Sequence, residues 1–371
     1  MPAAVSAQTP STWGDFTRRL DAYAQADGIV GASAVFLSGG EITARHNYGS
    51  ADAAANRPVT DSTIFHWGSV TKTLGAVAIL QLRDRGRLTL DDPVLRWIPE
   101  LRQVHDPFGA ADSITIRMLL SHSAGYQSPT WPWGEGESWE PFEPTRWEQL
   151  VAMMPYQRLM FRPGTRYGYS NPAYVYLARI VEAASGDPWQ SYVQKNILTP
   201  LGLTRSYFGA TPYHLADARS HGYYTRRDSA GRDSLIDVGA DFDPGVTIPN
   251  GGWNAPLDDV AAWLAALAGR AAIEVVPRRT LEEMWTPVVD VGPDPGSGAV
   301  ERMGLGFFVV DVAGRRFVGH TGTQAGYRSW VRLDPETATG YVIVVNTSNQ
   351  SRRGTAPELT AMLQAAHGLL R

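Results

Sequence analysis

The spacing of apolar residues changes along the chain, and this change separates helices from strands. Apolar positions 13, 16, 20 and 23 share one helical face, so the spacing predicts a first helix that Ser11 caps and that ends near Gly28. Two short apolar runs follow at 32–37 and 42–48. Because a Gly-Gly pair at positions 39 and 40 separates them, they predict a β-hairpin.

Helical spacing dominates the middle of the chain, and strand-like runs return towards its end. The predicted helices are one that stops near Gly86, then 116–121, 146–154, 172–184, 189–197 and 257–267. The predicted strands of an antiparallel meander are 307–312, 317–320, 327–333 and 341–346. A last helix is expected over about 357–370.

This order of elements favours one economical fold. We expect an α/β (α+β) protein in which an antiparallel sheet made from both chain ends is flanked by the terminal helices. A mainly helical lobe would be inserted between the two halves of the sheet. Residues 11–60 together with 250–371 are expected to form the sheet lobe, and residues 61–249 the helical lobe, with the active site between them.

Composition excludes several classes of protein. The chain has 371 residues, a net charge of −4 and no run of basic residues, which argues against nucleic-acid binding. No stretch has the ~18 consecutive apolar residues of a membrane span. Cysteine is absent, which excludes disulfides, thiol catalysis and cysteine-bound metals. No Gly-x-Ser-x-Gly pattern occurs, which argues against an α/β-hydrolase, and no His-Glu-x-x-His pattern supports zinc. We expect no metal and no cofactor, and the expected partner is a small-molecule substrate.

The first residues bear on localisation. Val5 and Ala7 have the small side chains that precede the cleavage site of a secretory signal, which predicts a periplasmic or secreted protein. A disordered, alanine-rich start is an equally good interpretation, and a cytoplasmic location stays open. The sequence does not indicate the oligomeric state.

Lysine is scarce, and its placement points to chemistry. Of 33 basic residues, only Lys72 and Lys195 are lysines. Lys72 follows Ser69 by three positions at the start of a predicted helix, so both side chains share a face. A serine hydroxyl needs an adjacent base to become a nucleophile, and a desolvated lysine can serve where arginine cannot. The alternative is a chance Ser-x-x-Lys, of which about 0.1 are expected in this chain.

Two further segments carry candidate site residues. Tyr169 precedes a predicted helix, and beside a cation its pKa is expected to fall so that it can move protons. Asn171 can hold a lysine or a substrate carbonyl. His320, Thr321, Gly322 and Thr323 end a predicted strand, where glycine permits a close approach and the Thr323 N–H can face an oxyanion. His320 can position or protonate the Tyr169 oxygen. Each segment alone also fits a structural role, as a helix cap or a strand end.

Together, Ser-x-x-Lys, Tyr-x-Asn and His-Thr-Gly occur in an order that resembles the serine β-lactamase and penicillin-binding-protein superfamily. The resemblance covers about residues 13–370 and includes stretches 116–125, 200–203 and 304–306. Within the superfamily the chain is similar to the branch of class C β-lactamases, D-alanyl-D-alanine carboxypeptidases, D-peptidases and family VIII esterases.

The resemblance implies a role for each matching residue. Ser69 would be acylated, Lys72 and Tyr169 would move protons, and Asn171 would orient Lys72 or the substrate. The N–H groups of Ser69 and Thr323 would bind the oxyanion. Water would then release the acid from the acyl-enzyme.

Two departures from the family pattern affect the expected substrate. Class C β-lactamases usually have lysine where this chain has His320, so efficient β-lactam turnover is not expected. The carboxypeptidases place an arginine after the Gly-x-Gly strand to bind a carboxylate, but here Phe307 and Phe308 follow. Arg315 and Arg328 are the candidates to replace that arginine.

We therefore expect a serine hydrolase that acts on a small ester or amide. Esterase activity is the leading interpretation, D-peptidase activity or D-alanyl-D-alanine carboxypeptidase activity the next, and β-lactamase activity the third. A penicillin-binding sensor with little turnover and an inactive scaffold are alternatives of another class. Trp131, Trp133, Trp139 and Phe142 would favour hydrophobic acyl groups if they cover the site, or would pack on the helical lobe instead.

Overall fold

The computed structural model describes residues 8–130, 144–227, 233–241, 244–350 and 356–370. The signal sequence expected around Val5 and Ala7 lies outside these residues, and so does the aromatic segment with Trp131, Trp133, Trp139 and Phe142. Both stay predictions. In the described ranges, no helix is long and apolar enough to cross a membrane.

The predicted helices are found within a residue or two of their expected bounds. The helices are α1 (Trp13–Asp27), α2 (Thr71–Asp84), α3 (Val94–Trp97), α4 (Ile116–Leu120), α5 (Trp147–Met153), α6 (Asn171–Ser185), α7 (Trp189–Val193), α8 (Ile248–Gly251), α9 (Leu257–Leu267), α10 (Arg278–Met284) and α11 (Pro357–Gly368). A π-helical turn over Gln194–Leu198 extends α7. Gly28 ends α1 with a φ of +66°, as expected, whereas Thr12 and not Ser11 stands at its N-cap.

The strands are more numerous than predicted. They are β1 (Gly31–Ser38), β2 (Glu41–Asp52), β3 (Arg57–Pro58), β4 (Ile64–His66), β5 (Tyr207–Phe208), β6 (Gly222–Arg227), β7 (Asp233–Gly239), β8 (Trp253–Pro256), β9 (Val289–Pro293), β10 (Val300–Met303), β11 (Phe308–Val312), β12 (Arg315–Gln324), β13 (Tyr327–Asp334), β14 (Thr339–Val345) and β15 (Thr347–Asn349). Nine of them form one antiparallel sheet in the order β3-β2-β1-β14-β13-β12-β11-β10-β9.

Both chain ends build this sheet, which confirms the predicted fold class. The amino-terminal hairpin joins the carboxy-terminal meander where β1 pairs with β14, with Ala32 opposite Val345. One face packs against α1 and α11 through an apolar cluster that includes Phe16, Phe36 and Met362. The other face packs against α2, α6 and α9 in the larger core.

Helix α2 lies at the centre of that larger core. Every residue from Thr71 to Leu82 is buried. Such a helix is fixed by packing on all sides, so side chains at its amino terminus are held by the whole protein rather than by a loop.

Two three-stranded sheets lie in or beside the segment that was predicted to be mainly helical. One has the order β4-β8-β5, and the other has the order β15-β6-β7 with β15 parallel to β6. Strand β7 exposes nearly all of its side chains, so no buried face imposes an alternating pattern on its sequence. Strands β4 and β8 are only three and four residues long, too short for a period to show.

Candidate active site

The turn before α2 holds Ser69 through backbone contacts. The N–H of Trp67 donates to the Trp253 carbonyl at 2.9 Å, which ties the turn to β8. The Thr71 hydroxyl donates to the Gly68 carbonyl at 2.6 Å and accepts the Trp253 N–H at 3.0 Å. Ser69 therefore stands at the amino-terminal end of α2, where unpaired N–H groups favour negative charge.

Three oxygen atoms surround the amine of Lys72. Its Nζ lies 2.9 Å from Ser69 Oγ, 3.0 Å from Asn171 Oδ1 and 2.6 Å from the carbonyl oxygen of Asn250. The side chain is 0% exposed. All three partners are uncharged, so burial, with no countercharge to offset it, lowers the pKa of Lys72 well below its usual value.

Tyr169 and Asn171 reach the same place from the start of α6. The Ser170 side chain caps this helix by accepting the Ala173 N–H at 3.3 Å. The Tyr169 hydroxyl is hydrogen-bonded to Ser69. Lys72 Nζ lies 5.0 Å from the centre of the Tyr169 ring.

The expectation that Tyr169 has a lowered pKa is wrong. Burial raises the pKa of Tyr169, and the hydrogen bond with Ser69 offsets this only in part. The physical reason is that burial removes the phenol from water, and a charged phenolate loses more stabilisation there than the neutral phenol does.

The end of β12 forms the opposite wall of the site. Strand β11 pairs with β12 only as far as Gly319, so residues 320–324 have no strand partner on that side within the described chain. A Cβ on Gly322 would lie 3.0 Å from the Trp67 carbonyl carbon, and a Cβ on Gly68 would lie 2.8 Å from the Thr323 nitrogen. Glycine at both positions thus lets the strand and the Ser69 turn touch, which brings the Thr323 N–H beside that turn.

His320 is buried beside this wall and is only 2% exposed. Its Nδ1–H donates to the Thr321 carbonyl at 2.6 Å, and its ring centre lies 6.5 Å from that of Tyr169. Burial lowers the pKa of His320 to about 3, so the ring stays neutral. Its Nε2 has no hydrogen-bond partner among the described residues, so the expected contact with the Tyr169 oxygen is not made.

Arg315 and Arg328, the candidate replacements for a carboxylate-binding arginine, both lie elsewhere. Arg315 is paired with Asp334 and donates to the Leu370 carbonyl near the carboxy terminus. Arg328 donates to the Tyr23 hydroxyl of α1, on the other face of the sheet. The prediction that one of them serves the site is therefore wrong.

Sequence reasoning missed two residues of the site. Asn250 contributes its main-chain carbonyl to Lys72, a contact that any residue type can make, so no sequence signal marked it. His122 lies against the Tyr169 ring at 4.4 Å between centres. It belongs to the family-like stretch 116–125, and that stretch was the available signal.

The arrangement combines a serine hydroxyl, a buried amine, a phenol and backbone N–H groups at one point. These are the parts that acyl transfer needs: a nucleophile, its base, a proton carrier and an oxyanion site. In the described residues, no group of acidic or histidine side chains is arranged to hold a metal ion.

Comparisons with known proteins agree with this geometry. The sequence profile of the Beta-lactamase family matches residues 16–365. Esterase EstB of Burkholderia gladioli is 34% identical over 208 residues, which are 50% of this chain and 50% of EstB. The chain thus spans about half the length of such a curated relative.

Two solved structures superpose on nearly the whole chain. The octameric penicillin-binding protein homologue from Pyrococcus abyssi has a TM-score of 0.78 at 29% identity, covering 96% of this chain and 77% of that one. The D-stereospecific amidohydrolase from Streptomyces sp. has a TM-score of 0.69 at 26% identity, covering 91% and 94%.

Proposed function

The chain belongs to the Beta-lactamase family of serine hydrolases, and from this premise we propose that it hydrolyses small, uncharged carboxylic esters through an acyl-enzyme on Ser69. The specific proposal concerns the ester substrate and the role of each residue. It rests on the surroundings of Lys72, on the neutral wall formed by β12, and on the similarity to an esterase.

The observation that carries the proposal is the set of partners of Lys72. A neutral amine has two N–H donors and one lone pair. Asn171 Oδ1 and the Asn250 carbonyl can only accept, so they take the two N–H groups. The lone pair is then left for the hydroxyl of Ser69, 2.9 Å away. This is the orientation of a general base.

The reaction proceeds in two balanced steps. In the first, Lys72 takes the proton of Ser69 Oγ, and Oγ forms a bond to the ester carbonyl carbon. The N–H groups of Ser69 and Thr323 hold the oxyanion. The bond between the carbon and the leaving alkoxide then breaks as the Tyr169 hydroxyl passes a proton to the leaving oxygen. Tyr169 regains a proton from Lys72. In the second, Lys72 takes a proton from water as the water oxygen adds to the acyl carbon. The bond between Ser69 Oγ and the acyl carbon then breaks, and Oγ takes that proton from Lys72 as the acid leaves.

An uncharged substrate fits the charges around the site. His320 is neutral, and Arg315 and Arg328 are engaged elsewhere, so none of these three offers a positive charge to a free carboxylate. Similarity to EstB supports an ester. A second candidate, hydrolysis of D-amino-acid amides, is favoured by the similarity to the D-stereospecific amidohydrolase. It is also favoured by the edge of β12 beyond Gly319, which has no strand partner among the described residues and can pair with an amide group.

The substrate class is tested with a panel of p-nitrophenyl esters, D-amino-acid amides, D-Ala-D-Ala peptides and a chromogenic cephalosporin. We expect kcat/KM to be highest for the esters and Ser69→Ala to abolish it. Esters that are still hydrolysed by Ser69→Ala would disprove the acyl-enzyme. Amides that are turned over faster than esters would replace the ester proposal by the second candidate.

The role of the base is tested on the two lysines of the chain. Lys72→Met is expected to lower kcat by about 10³-fold, in the range of general-base catalysis. Lys195→Met is the matched control, because Lys195 is 68% exposed and contacts only Asp187 among its described hydrogen bonds. Equal rates for the two variants would contradict the assignment. A stable adduct on Ser69 with a single turnover, seen by intact mass, would instead indicate a penicillin-binding sensor.

A further inference from the structure

His122 has a left-handed backbone conformation. It follows α4 with a φ of +54° and is 1% exposed. Residues other than glycine seldom adopt a positive φ, and such strain persists where the surrounding contacts require it. The question is therefore which contacts hold His122 in place.

His122 is hydrogen-bonded to the residues on either side of Tyr169 in the sequence. The His122 carbonyl accepts the N–H of Gly168 at 2.8 Å, and its Nδ1 accepts the N–H of Ser170 at 3.1 Å. The imidazole lies against the Tyr169 phenol, with ring centres 4.4 Å apart and planes inclined at 32°. One residue thus fixes the backbone before and after Tyr169 and one face of its ring.

These contacts define the protonation state of His122. A backbone N–H can only donate, so Nδ1 carries no proton and the proton of the neutral ring is on Nε2. Burial lowers the pKa of His122 and keeps the ring neutral. Nε2 has no hydrogen-bond partner among the described residues, so the bond to Ser170 is the one that sets the direction of the ring.

The segment that carries His122 is itself fixed to the scaffold. The carbonyl of Leu120 accepts the Tyr174 hydroxyl at 3.0 Å and the Gly306 N–H at 3.1 Å. These bonds tie the end of α4 to α6 and to the turn before β11. The core of the protein therefore sets the position of His122, and His122 in turn sets the position of Tyr169.

We propose that His122 is a positioning residue that holds the Tyr169 hydroxyl on Ser69 Oγ and in line with the leaving group. The proposal rests on the role of Tyr169 in the proposed function. His122 does not itself touch the reacting atoms. Its loss lets Tyr169 shift, and a shift of about 1 Å in a catalytic group costs about 100-fold in rate.

The effect should depend on the leaving group, because a poor leaving group needs the proton of Tyr169 and a good one does not. In His122→Ala we expect kcat for ethyl butyrate to fall about 100-fold, kcat for p-nitrophenyl butyrate to fall less than 10-fold, and KM to change little. A change that only destabilised the protein would lower both rates alike. The matched control is His214→Ala, since His214 is exposed and takes no part in these contacts.

Two further variants separate the hydrogen bond from the bulk of the ring. In His122→Asn, Oδ1 takes the place of Nδ1 and asparagine tolerates a positive φ, so most of the ethyl butyrate activity should return. In His122→Gln the acceptor for Ser170 is lost, so the activity should stay low. If His122→Ala does not fold, as judged by circular dichroism, this pair carries the test. Equal ethyl butyrate rates for the Asn and Gln variants would overturn the proposal.

A double-mutant cycle with Tyr169→Phe decides whether His122 acts through Tyr169. We expect the double variant to be no slower on ethyl butyrate than Tyr169→Phe alone. Losses that multiply would overturn the proposal, because His122 would then act by another route. A Tyr169→Phe variant as fast as the wild type would instead disprove the role of Tyr169 on which the inference rests, while Ser69→Ala would still report on the acyl-enzyme.

Discussion

The close approach of β12 to the Ser69 turn can be tested with one methyl group. In Gly322→Ala, the new Cβ would lie 2.5 Å from Ser329 Oγ and closer still to the carbonyl oxygen of Trp67. Ordinary contacts to carbon lie near 3.5 Å, so the strand and the turn would have to separate by about 1 Å. The Trp67 carbonyl is backbone and cannot rotate away as a side chain can.

That separation would move the Thr323 N–H away from the oxyanion that forms on Ser69. A displacement of about 1 Å costs about 100-fold in rate, or about 2.7 kcal/mol of transition-state stabilisation. Overpacking also lowers the free energy of unfolding by about 1–3 kcal/mol. We therefore expect kcat/KM for p-nitrophenyl butyrate to fall about 100-fold in a protein that is less stable but folded.

The assay measures kcat/KM and the urea midpoint for Gly322→Ala and for Gly368→Ala. Gly368 is the matched control, because a Cβ there meets no atom within 4 Å and its φ is not positive. We expect Gly368→Ala to keep its activity. If Gly322→Ala is folded and as active as the wild type, the reasoning about the close approach is refuted.

Three other results are expected. The pKa of Lys72 is lower in the folded protein than in the unfolded chain, so unfolding takes up a proton at pH values between the two. The free energy of unfolding therefore rises with pH in that range. Urea titrations of the wild type and of Lys72→Met at several pH values should differ by this slope, and parallel curves would contradict the lowered pKa. The neutral ring of His320 contributes stability above pH 6.5, and this contribution is lost as the pH falls towards about 3. The melting temperature should therefore fall less on acidification in His320→Gln than in the wild type. An identical fall would count against the burial of His320 as a neutral ring. Asn346→Ala removes the buried hydrogen-bond partner of the Gly31 N–H, the Ser50 carbonyl and the Ser220 hydroxyl. The free energy of unfolding should therefore drop by about 3 kcal/mol. An unchanged urea midpoint would show that these bonds contribute little.

The parts of the site that the sequence predicts are those set by local geometry. Ser69 and Lys72 are one helical turn apart, so their contact follows from the pitch of the helix. The contact of Asn171 with Lys72 was predictable from the family resemblance, because members of a family share one fold. The meander and the terminal helices were predictable for a similar reason, since long periodic runs report which face is buried.

What the sequence could not predict depends on burial and on contacts between distant segments. The direction of the pKa shift of Tyr169 follows from the burial of its hydroxyl, which only the packed structure establishes. The carbonyl of Asn250 meets Lys72 across 178 positions without any signal in residue type. The side chain of Arg328 could have been placed, because strand alternation puts it on the face opposite to Ser329, towards Tyr23.

The central claim, that Lys72 is a neutral base on Ser69, has a direct measurement because the chain has only two lysines. In a Lys195→Arg protein labelled with [13Cε]lysine, the single lysine resonance reports the charge of Lys72. We predict that, as the pH is raised, the resonance changes from the shift of an ammonium group to that of a neutral amine well below the pH at which lysine in the urea-unfolded protein does so. A resonance that keeps the ammonium shift up to pH 10 would contradict the assignment of Lys72 as the base.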